Sequence, residues 1–300
     1  MKEPKGTEMS WRPISGKTGV TGIIGDPIEH TVTPPMYNTA YERLGLDYIH
    51  VAFQVDAKYV GDAVKAVRAL NLKGLIVTMP HKRAVIPFLD ELDPLTEKIG
   101  AVNTIINNNG MLKGYNSDAP AFLQPLLSQG FQPEGRNIVV LGAGGGSRAV
   151  TFILASRGAN LVILNRMEEF DWAIELAKNL SDFSGKEVRP LELTEENLKT
   201  SLAKADLVVN ATSVGFGPRN RETPVPAKLL RSDLPVYDIV FSPLKTRLLE
   251  EAERKGAKTL AGMGMVVGTG VFFFEKVTGT KAPVELMNEV VFKILKEREK

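Results

Sequence analysis

Lys82 follows a short apolar run, Leu75-Ile76-Val77, that closes in Thr78-Met79-Pro80. The run reads as a buried strand, and Pro80 stops it because proline has no N–H to give a ladder. The sequence therefore puts an amine just past the carboxyl end of a buried strand, where open α/β sheets keep their ligand sites. A lysine there can donate a proton and hold a charge. An ordinary surface lysine is the plain alternative.

A second run carries chemistry of a different kind. Ile138-Val139-Val140-Leu141 leads into Gly142-Ala143-Gly144-Gly145-Gly146-Ser147-Arg148. Glycine lets a backbone turn tightly and come close to a pyrophosphate, and the helix that follows offers unpaired N–H groups and its positive end. The G-x-G-x-x-G/A pattern is met except at its third position, where Ser147 stands. The strand before it and the helix after it are the context the pattern needs. A tight strand–helix turn without a ligand is the alternative. The next strand ends in Asn165-Arg166 rather than in an acid. A guanidinium forks onto a 2′-phosphate, which favours NADP(H). Glu168 and Glu169 follow closely and keep NAD(H) open as a second cofactor.

These groups need elements to hold them. The 300 residues suit two domains, and 43% hydrophobic with 24% charged residues is the composition of a soluble globular chain. A net charge of +2 points to neither nucleic acid nor an anionic membrane, and no apolar run reaches the length of a membrane span. Residues 1–10 are polar, lack the apolar core of a secretory signal and are expected to form a loose tail. With no cysteine, disulfides, thiol nucleophiles and cysteine-bound metal are excluded, which fits a reducing, cytoplasmic setting. His30, His50 and His81 show no metal-ligand spacing, so no metal is expected and each is read as structural or exposed.

Strands are predicted at 20–24, 48–55, 75–79 and 102–107, and helices at 33–44, 57–70 and 94–99. Thr33-Pro34-Pro35 is the start expected of a helix with a hydroxyl cap followed by proline. Asn108-Asn109-Gly110 is a turn signal. Residues 20–115 thus alternate strand and helix and predict an α/β domain with a largely parallel sheet. A helix over 118–127 leaves it. A second alternation begins at Asn137, with strands at 137–141, 161–165, 206–210 and 236–240 and helices to Ser156, over 170–180 and around 250–255. The final helix, 284–298, is a candidate to pack back on the first domain. The loop 215–226, rich in glycine, proline and arginine, is expected to be mobile.

Taken together, these runs resemble the shikimate dehydrogenase family, with its shikimate and quinate dehydrogenases. Ile23-Ile24-Gly25-Asp26-Pro27-Ile28-Glu29-His30-Thr31-Val32-Thr33-Pro34 is similar to the family's opening substrate motif, with threonines where Ser-x-Ser is usual. Val77-Thr78-Met79-Pro80-His81-Lys82 is similar to its catalytic lysine motif, and Gly100-Ala101-Val102-Asn103-Thr104 and Gly114-Tyr115-Asn116-Ser117-Asp118 to its next two. Gly142 to Arg148, Asn165-Arg166, Asn210-Ala211-Thr212-Ser213 and Gly262-Met263-Gly264-Met265 resemble its cofactor side.

The resemblance, which runs from about Val20 to Leu295, implies an α/β fold. An N-terminal α/β substrate domain (1–118 with 266–300) would face a C-terminal Rossmann-type dinucleotide-binding domain (119–265), with the active site in the cleft between them. It implies reversible reduction of the ring ketone of 3-dehydroshikimate to shikimate by hydride from NADPH, a step toward the aromatic amino acids. Lys82 and Asp118 would be the coupled acid–base pair. Thr31, Thr33, Thr78, Asn103, Tyr237 and Thr269 would hold the substrate. Gly142, Ala143, Gly144, Gly145, Gly146, Ser147, Asn165, Arg166, Ala211, Thr212, Ser213, Gly262 and Met265 would hold NADP(H). The implied partner is a small cyclic hydroxy acid, with the chain working as a monomer or homodimer. The residue types suit the reaction. Carbonyl reduction builds negative charge on oxygen, so a placed cation lowers the barrier and a proton must arrive. Turn and capping chemistry is the plain alternative for the threonines, and a half-buried strand position for Tyr237.

Four positions depart from the family pattern. Ile76 stands where asparagine is usual, Thr269 where glutamine is, Ala261 where an aspartate precedes Gly-x-Gly-Met, and Ala119 where a glycine follows Asn-x-Asp. A buried ring hydroxyl left unpaired costs on the order of 1–3 kcal/mol, enough to shift selectivity by large factors. Quinate or another cyclic hydroxy acid is therefore the first alternative substrate. A non-catalytic NADP-binding regulator is the second alternative, but a pure binder needs neither Lys82 nor Asp118.

Overall fold

The computed structural model describes residues 14–299, so the tail expected at 1–10 lies outside the described residues. In chain order the strands are β1 Gly19–Gly25, β2 Tyr48–Gln54, β3 Gly74–Val77, β4 Glu91–Leu92, β5 Thr104–Asn108, β6 Met111–Tyr115, β7 Asn137–Leu141, β8 Asn160–Asn165, β9 Arg189–Glu192, β10 Leu207–Asn210, β11 Val236–Asp238 and β12 Thr259–Ala261. The helices are α1 Thr33–Arg43, α2 Val60–Ala69, α3 Pro94–Ile99, α4 Asp118–Ser128, α5 Gly145–Ser156, α6 Phe170–Ser184, α7 Glu195–Leu202, α8 Arg247–Arg254, α9 Met263–Thr278 and α10 Val284–Arg298.

The first sheet has the order β2-β1-β3-β5-β6-β4. β1, β2 and β3 run parallel, but β5 is antiparallel to both β3 and β6. The expectation of a largely parallel sheet is thus corrected to a mixed one. The reason is local: Asn109 (φ 55°) and Gly110 (φ 96°) both take left-handed backbone, the requirement of a tight hairpin turn. Asn107 Oδ1 accepts from Gly110 N at 2.7 Å and locks that turn. The hairpin has a consequence for the site. It brings the start of β5 and the end of β6 to the edge where β3 ends, so Asp118 meets Lys82 there and Asn103 O accepts from Val77 N.

The second sheet is wholly parallel, in the order β12-β11-β10-β7-β8-β9. This is the doubly wound order, whose switch point lies between β7 and β10. The glycine loop after β7 and Ala211-Thr212-Ser213 after β10 flank that point. β9 includes Pro190, which an edge strand tolerates.

α9 and α10 return to the first sheet, as anticipated for the last helix. Tyr37 and Tyr41 of α1, Phe273 and Phe274 of α9 and Met287 of α10 share one buried cluster. Burying a ring such as Phe273 contributes about 1.5–3 kcal/mol. α9 begins at Met263, with Gly262 as its N-cap, so the expected boundary at 265/266 lies within its first turn. Gly262 is needed because a Cβ there would fall on the carbonyl oxygen of Ile239.

Candidate active site

Lys82 is fixed from three sides. Thr78 N donates to Ile24 O (2.9 Å), His81 N to Thr78 O (3.0 Å) and Val102 N to Lys82 O (2.8 Å). The His81 ring is buried, with Nε2 2.6 Å from Val55 O, and anchors the same turn. Asp118 opens α4, where the helix N-terminus favours negative charge. Asn116 Oδ1 accepts from Asp118 N at 3.0 Å, and Asn116 Nδ2 donates to Ala101 O at 2.9 Å. The result is an ion pair, Lys82 Nζ to Asp118 Oδ2 at 2.5 Å, with side chains only 16% and 7% exposed. Asn103 supports it from behind: Oδ1 accepts from Ser117 N (2.9 Å) and Nδ2 donates to Ser117 Oγ (3.0 Å). One Nδ2 hydrogen remains for a ligand.

The opening threonines sit beside this edge. Thr31 Oγ1 and Thr33 Oγ1 are 3.0 Å apart, and Thr33 Oγ1 is 3.3 Å from His50 Nε2. Thr33 is the first residue of α1, after Val32 as N-cap, and makes no capping bond. The hydroxyl cap expected there is therefore corrected; its hydroxyl is turned to Thr31 and His50. Thr78 is half-buried, its methyl packed on Gly25. His30 is exposed, 6.2 Å and edge-on to Phe216 of the second lobe. The loop 215–226 is thereby in contact with the substrate side, and Phe216 in turn meets Phe241 at 6.0 Å.

The glycine loop faces Lys82. A Cβ on Gly145 would stand 3.3 Å from Lys82 Cδ, while one on Gly144 would meet open space. Gly142 has φ 99°, and a Cβ on it would stand 2.9 Å from Ala211 O. α5 starts at Gly145 with no side-chain cap, so its first N–H groups point outward unpaired. This cradle fits a pyrophosphate. Asn165 Nδ2 donates to Glu169 O at 2.6 Å, and exposed Arg166 is paired with Glu169.

Two models of one family match this chain: "Shikimate dehydrogenase substrate binding domain" over residues 23–105 and "Shikimate / quinate 5-dehydrogenase" over 126–215. The chain belongs to the shikimate dehydrogenase family. A shikimate dehydrogenase (NADP(+)) of Methanopyrus kandleri is 44% identical, over 94% of this chain and 98% of the relative. One of Dehalococcoides mccartyi is 42% identical, over 93% and 97%. The solved shikimate 5-dehydrogenase of Listeria monocytogenes, in complex with shikimate and NAD, superposes with a TM-score of 0.86 at 36% identity, covering 94% of this chain and 99% of that one.

Several expected site residues are buried or have their side chains committed to other partners. Tyr237 is fully buried, stacked on Phe122 at 4.5 Å with its hydroxyl unpartnered, and burial raises its phenol above the ordinary tyrosine range. All three β11 residues are buried, and the tyrosine expected to touch substrate stacks in the core of the chain. Phe241, half-buried, packs toward the first lobe instead. Met265 is likewise core, 7% exposed. Ser147 is buried with Oγ donating to Gly142 O at 2.5 Å, so only its backbone can serve the loop. Thr212 Oγ1 donates to Asn210 Oδ1 at 2.7 Å and shapes its own turn, whereas Ser213 is exposed. Thr269 Oγ1 turns back to Val266 O at 2.8 Å. Asp238 escaped the sequence reading: its Oδ1 accepts from Asn210 Nδ2 (2.9 Å) and Val240 N (3.0 Å), and its Oδ2 from Thr246 Oγ1 (2.6 Å). No helix among the described residues is long and apolar enough to cross a membrane.

Proposed function

We propose that this chain is an NADP(H)-dependent dehydrogenase interconverting 3-dehydroshikimate and shikimate. The observation that carries the reading is the Lys82–Asp118 pair, 2.5 Å apart at the carboxyl edge of the first sheet and facing the glycine loop of the second. The substrate domain is 14–118 with α9 and α10, and the nucleotide domain is the second sheet with its helices.

The loop residues Gly142 to Gly146 and the open end of α5 would hold the pyrophosphate, and Arg166 the 2′-phosphate once it leaves Glu169. Bound there, NADPH supplies the hydride for the ring ketone. Lys82 Nζ faces the carbonyl oxygen, holds its growing negative charge and gives it a proton. Asp118 orients the amine and accepts from a ring hydroxyl. Thr31, Thr33, Thr78 and the free Asn103 hydrogen hold the substrate's hydroxyls and carboxylate, with the carboxylate on the Thr31–Thr33 pair. Both walls of the cleft come from one chain, so a monomer suffices and a homodimer would carry two sites. The cytoplasm, where NADPH and small hydroxy acids meet, is the compartment we assign.

A second reading, a quinate or other cyclic hydroxy-acid dehydrogenase, is favoured by two side chains. Ile76 packs into the apolar cluster of α1 and α9, and Thr269 has its hydroxyl committed to its own helix. Purified protein assayed with shikimate and quinate, each with NADP and NAD, decides between them through the nicotinamide absorbance. No signal with shikimate would sink the leading reading. A regulator is recognised by a Lys82→Ala protein that keeps its biological effect; an enzyme loses turnover and keeps NADP affinity.

A further inference from the structure

His50 lies beneath Thr33, and the reaction as described makes no use of it. Asn38 clamps its backbone, accepting from His50 N at 2.7 Å and donating to His50 O at 3.0 Å. Its ring packs between Tyr37 (4.5 Å) and Phe273 (5.9 Å), and Tyr37 is itself tied to Gly270 O at 3.1 Å, next to Thr269. The ring is therefore held in one orientation. Burial pushes the imidazole down to about 3, so it is neutral in any ordinary buffer. A neutral imidazole has one N–H and one lone pair.

The neighbours decide which nitrogen carries the hydrogen. Thr21 Oγ1, fully buried, stands 2.9 Å from His50 Nδ1 and 3.1 Å from Ile49 O, with a single proton for the two. With that proton turned to His50 Nδ1, Nε2 would be the donor; with it turned to Ile49 O, Nδ1 donates to Thr21 and Nε2 accepts from Thr33 Oγ1 at 3.3 Å, the arrangement we assign to the free protein. In that arrangement Thr33 turns its lone pairs toward the cleft. Thr31 Oγ1, which accepts from Thr33 N at 3.3 Å, keeps its proton for Thr33 or for a ligand. The pair offers one donor and one acceptor. That suits a neutral hydroxyl. A carboxylate only accepts, so it needs both hydroxyls as donors, and Thr33 can donate outward only when Nε2 carries the hydrogen.

We propose that His50 is a positioning residue for the substrate's carboxylate: its tautomer makes Thr33 an acceptor in the free protein and a donor in the complex. This rests on the dehydrogenase reading and adds a specificity device to it. In the complex Nε2–H donates to Thr33, Nδ1 accepts from Thr21, and Tyr41 OH, 3.3 Å from Thr21 Oγ1, takes over as donor to that oxygen.

Long-range nitrogen-15 NMR of the whole protein distinguishes the two tautomers, with His50→Gln assigning the signal among three histidines. The free protein is expected to show Nδ1–H, and saturating shikimate to convert it to Nε2–H. Cyclohex-1-ene-1-carboxylate, which carries the anion without the ring hydroxyls, is expected to do the same. Kinetics give an independent readout. A glutamine amide reaches the Nε2 position, an asparagine amide only the Nδ1 position, and phenylalanine neither. His50→Phe and His50→Asn are expected to raise the KM for shikimate about tenfold with little change in kcat or in the KM for NADP, and His50→Gln to restore it. Shikimate turnover with no tautomer change overturns the proposal and spares the dehydrogenase reading. A tautomer change with the cyclohexene carboxylate but no shikimate turnover does the reverse. Retention of the free protein's tautomer with both ligands, or equal KM values in all three variants, overturns it outright.

Discussion

The stem of Lys82 lies against Gly145 of the other lobe: a Cβ on Gly145 would stand 3.3 Å from Lys82 Cδ and 3.4 Å from its Cβ. The acid–base group and the nucleotide loop are thus in van der Waals register, and the glycine keeps them so. Gly145 is the first residue of α5 and has no left-handed backbone. Alanine is accordingly allowed by the chain, and within a helix it is favoured by up to about 1 kcal/mol. Gly145→Ala should therefore hold or raise the melting temperature while lowering kcat about tenfold, because small misplacements of a catalytic group are costly. Thermal unfolding and steady-state kinetics on the same sample read both signs. A variant with unchanged kcat would mean that this contact does not place the amine.

Lys82 and Asp118 form one pair with little exposure, so removing either member should disable the same step. Lys82→Ala and Asp118→Asn are each expected to lower kcat by about 10²–10⁴. The double variant should be little worse than the weaker single one, since residues acting as a unit are not additive. NADP affinity, followed by nucleotide fluorescence, should stay at its starting value in all three. A double variant with multiplied losses would show two independent roles instead of one pair.

Arg166 is exposed and held by Glu169, three residues on. That contact competes with a 2′-phosphate for the same guanidinium. Arg166→Ala should raise the KM for NADP by about 10–100-fold, the loss of a charge-assisted bond, and leave that for NAD nearly unchanged. Glu169→Gln releases the guanidinium and should lower the KM for NADP. If both variants leave the NADP/NAD ratio as it was, the 2′-phosphate is read elsewhere.

Much of this was legible in the sequence because short-range rules governed it. The apolar run and Pro80 gave β3 and the place of Lys82, and the glycines after β7 gave the switch-point loop. What was hidden depends on partners distant in the chain. Asn109 and Gly110 signalled a turn, but the hairpin that carries Asp118 to Lys82 shows only in the pairing of β5 with β3. β11 is buried on both faces, so alternation cannot say which way Tyr237 points; Phe122, more than a hundred residues earlier, decides it. Thr33 reads as a helix cap in the local sequence, but its hydroxyl lies against Thr31 and His50, the latter seventeen residues on. Ser147 and Thr212 matched the cofactor motifs by position, yet their hydroxyls build the loops that a nucleotide would touch.

Asp238 makes the last prediction. It is buried at the end of β11, and desolvation pushes its carboxyl up to about 6 from 3.8, against the donors Thr246, Val240 N and Asn210 that pull it down. Between those two pH values the folded chain keeps a proton that the unfolded chain has lost. This contribution to stability is full below about pH 3.8 and falls away as pH rises through about 6, by on the order of 3 kcal/mol. His50 acts in the opposite sense. Its folded value of about 3 lies below the ordinary 6.5, so its contribution is present above pH 6.5 and is lost as pH falls toward 3. The two slopes overlap, and wild type alone cannot separate them. Asp238→Asn can: asparagine keeps an oxygen for Val240 N and Asn210 and turns its amide to Thr246. Urea unfolding of both proteins from about pH 4 to 7 should give a stability difference that grows in favour of the variant as pH rises through the window set by 3.8 and 6. A difference that is flat across that range would place the Asp238 carboxyl at its ordinary value and assign the whole pH dependence to other groups.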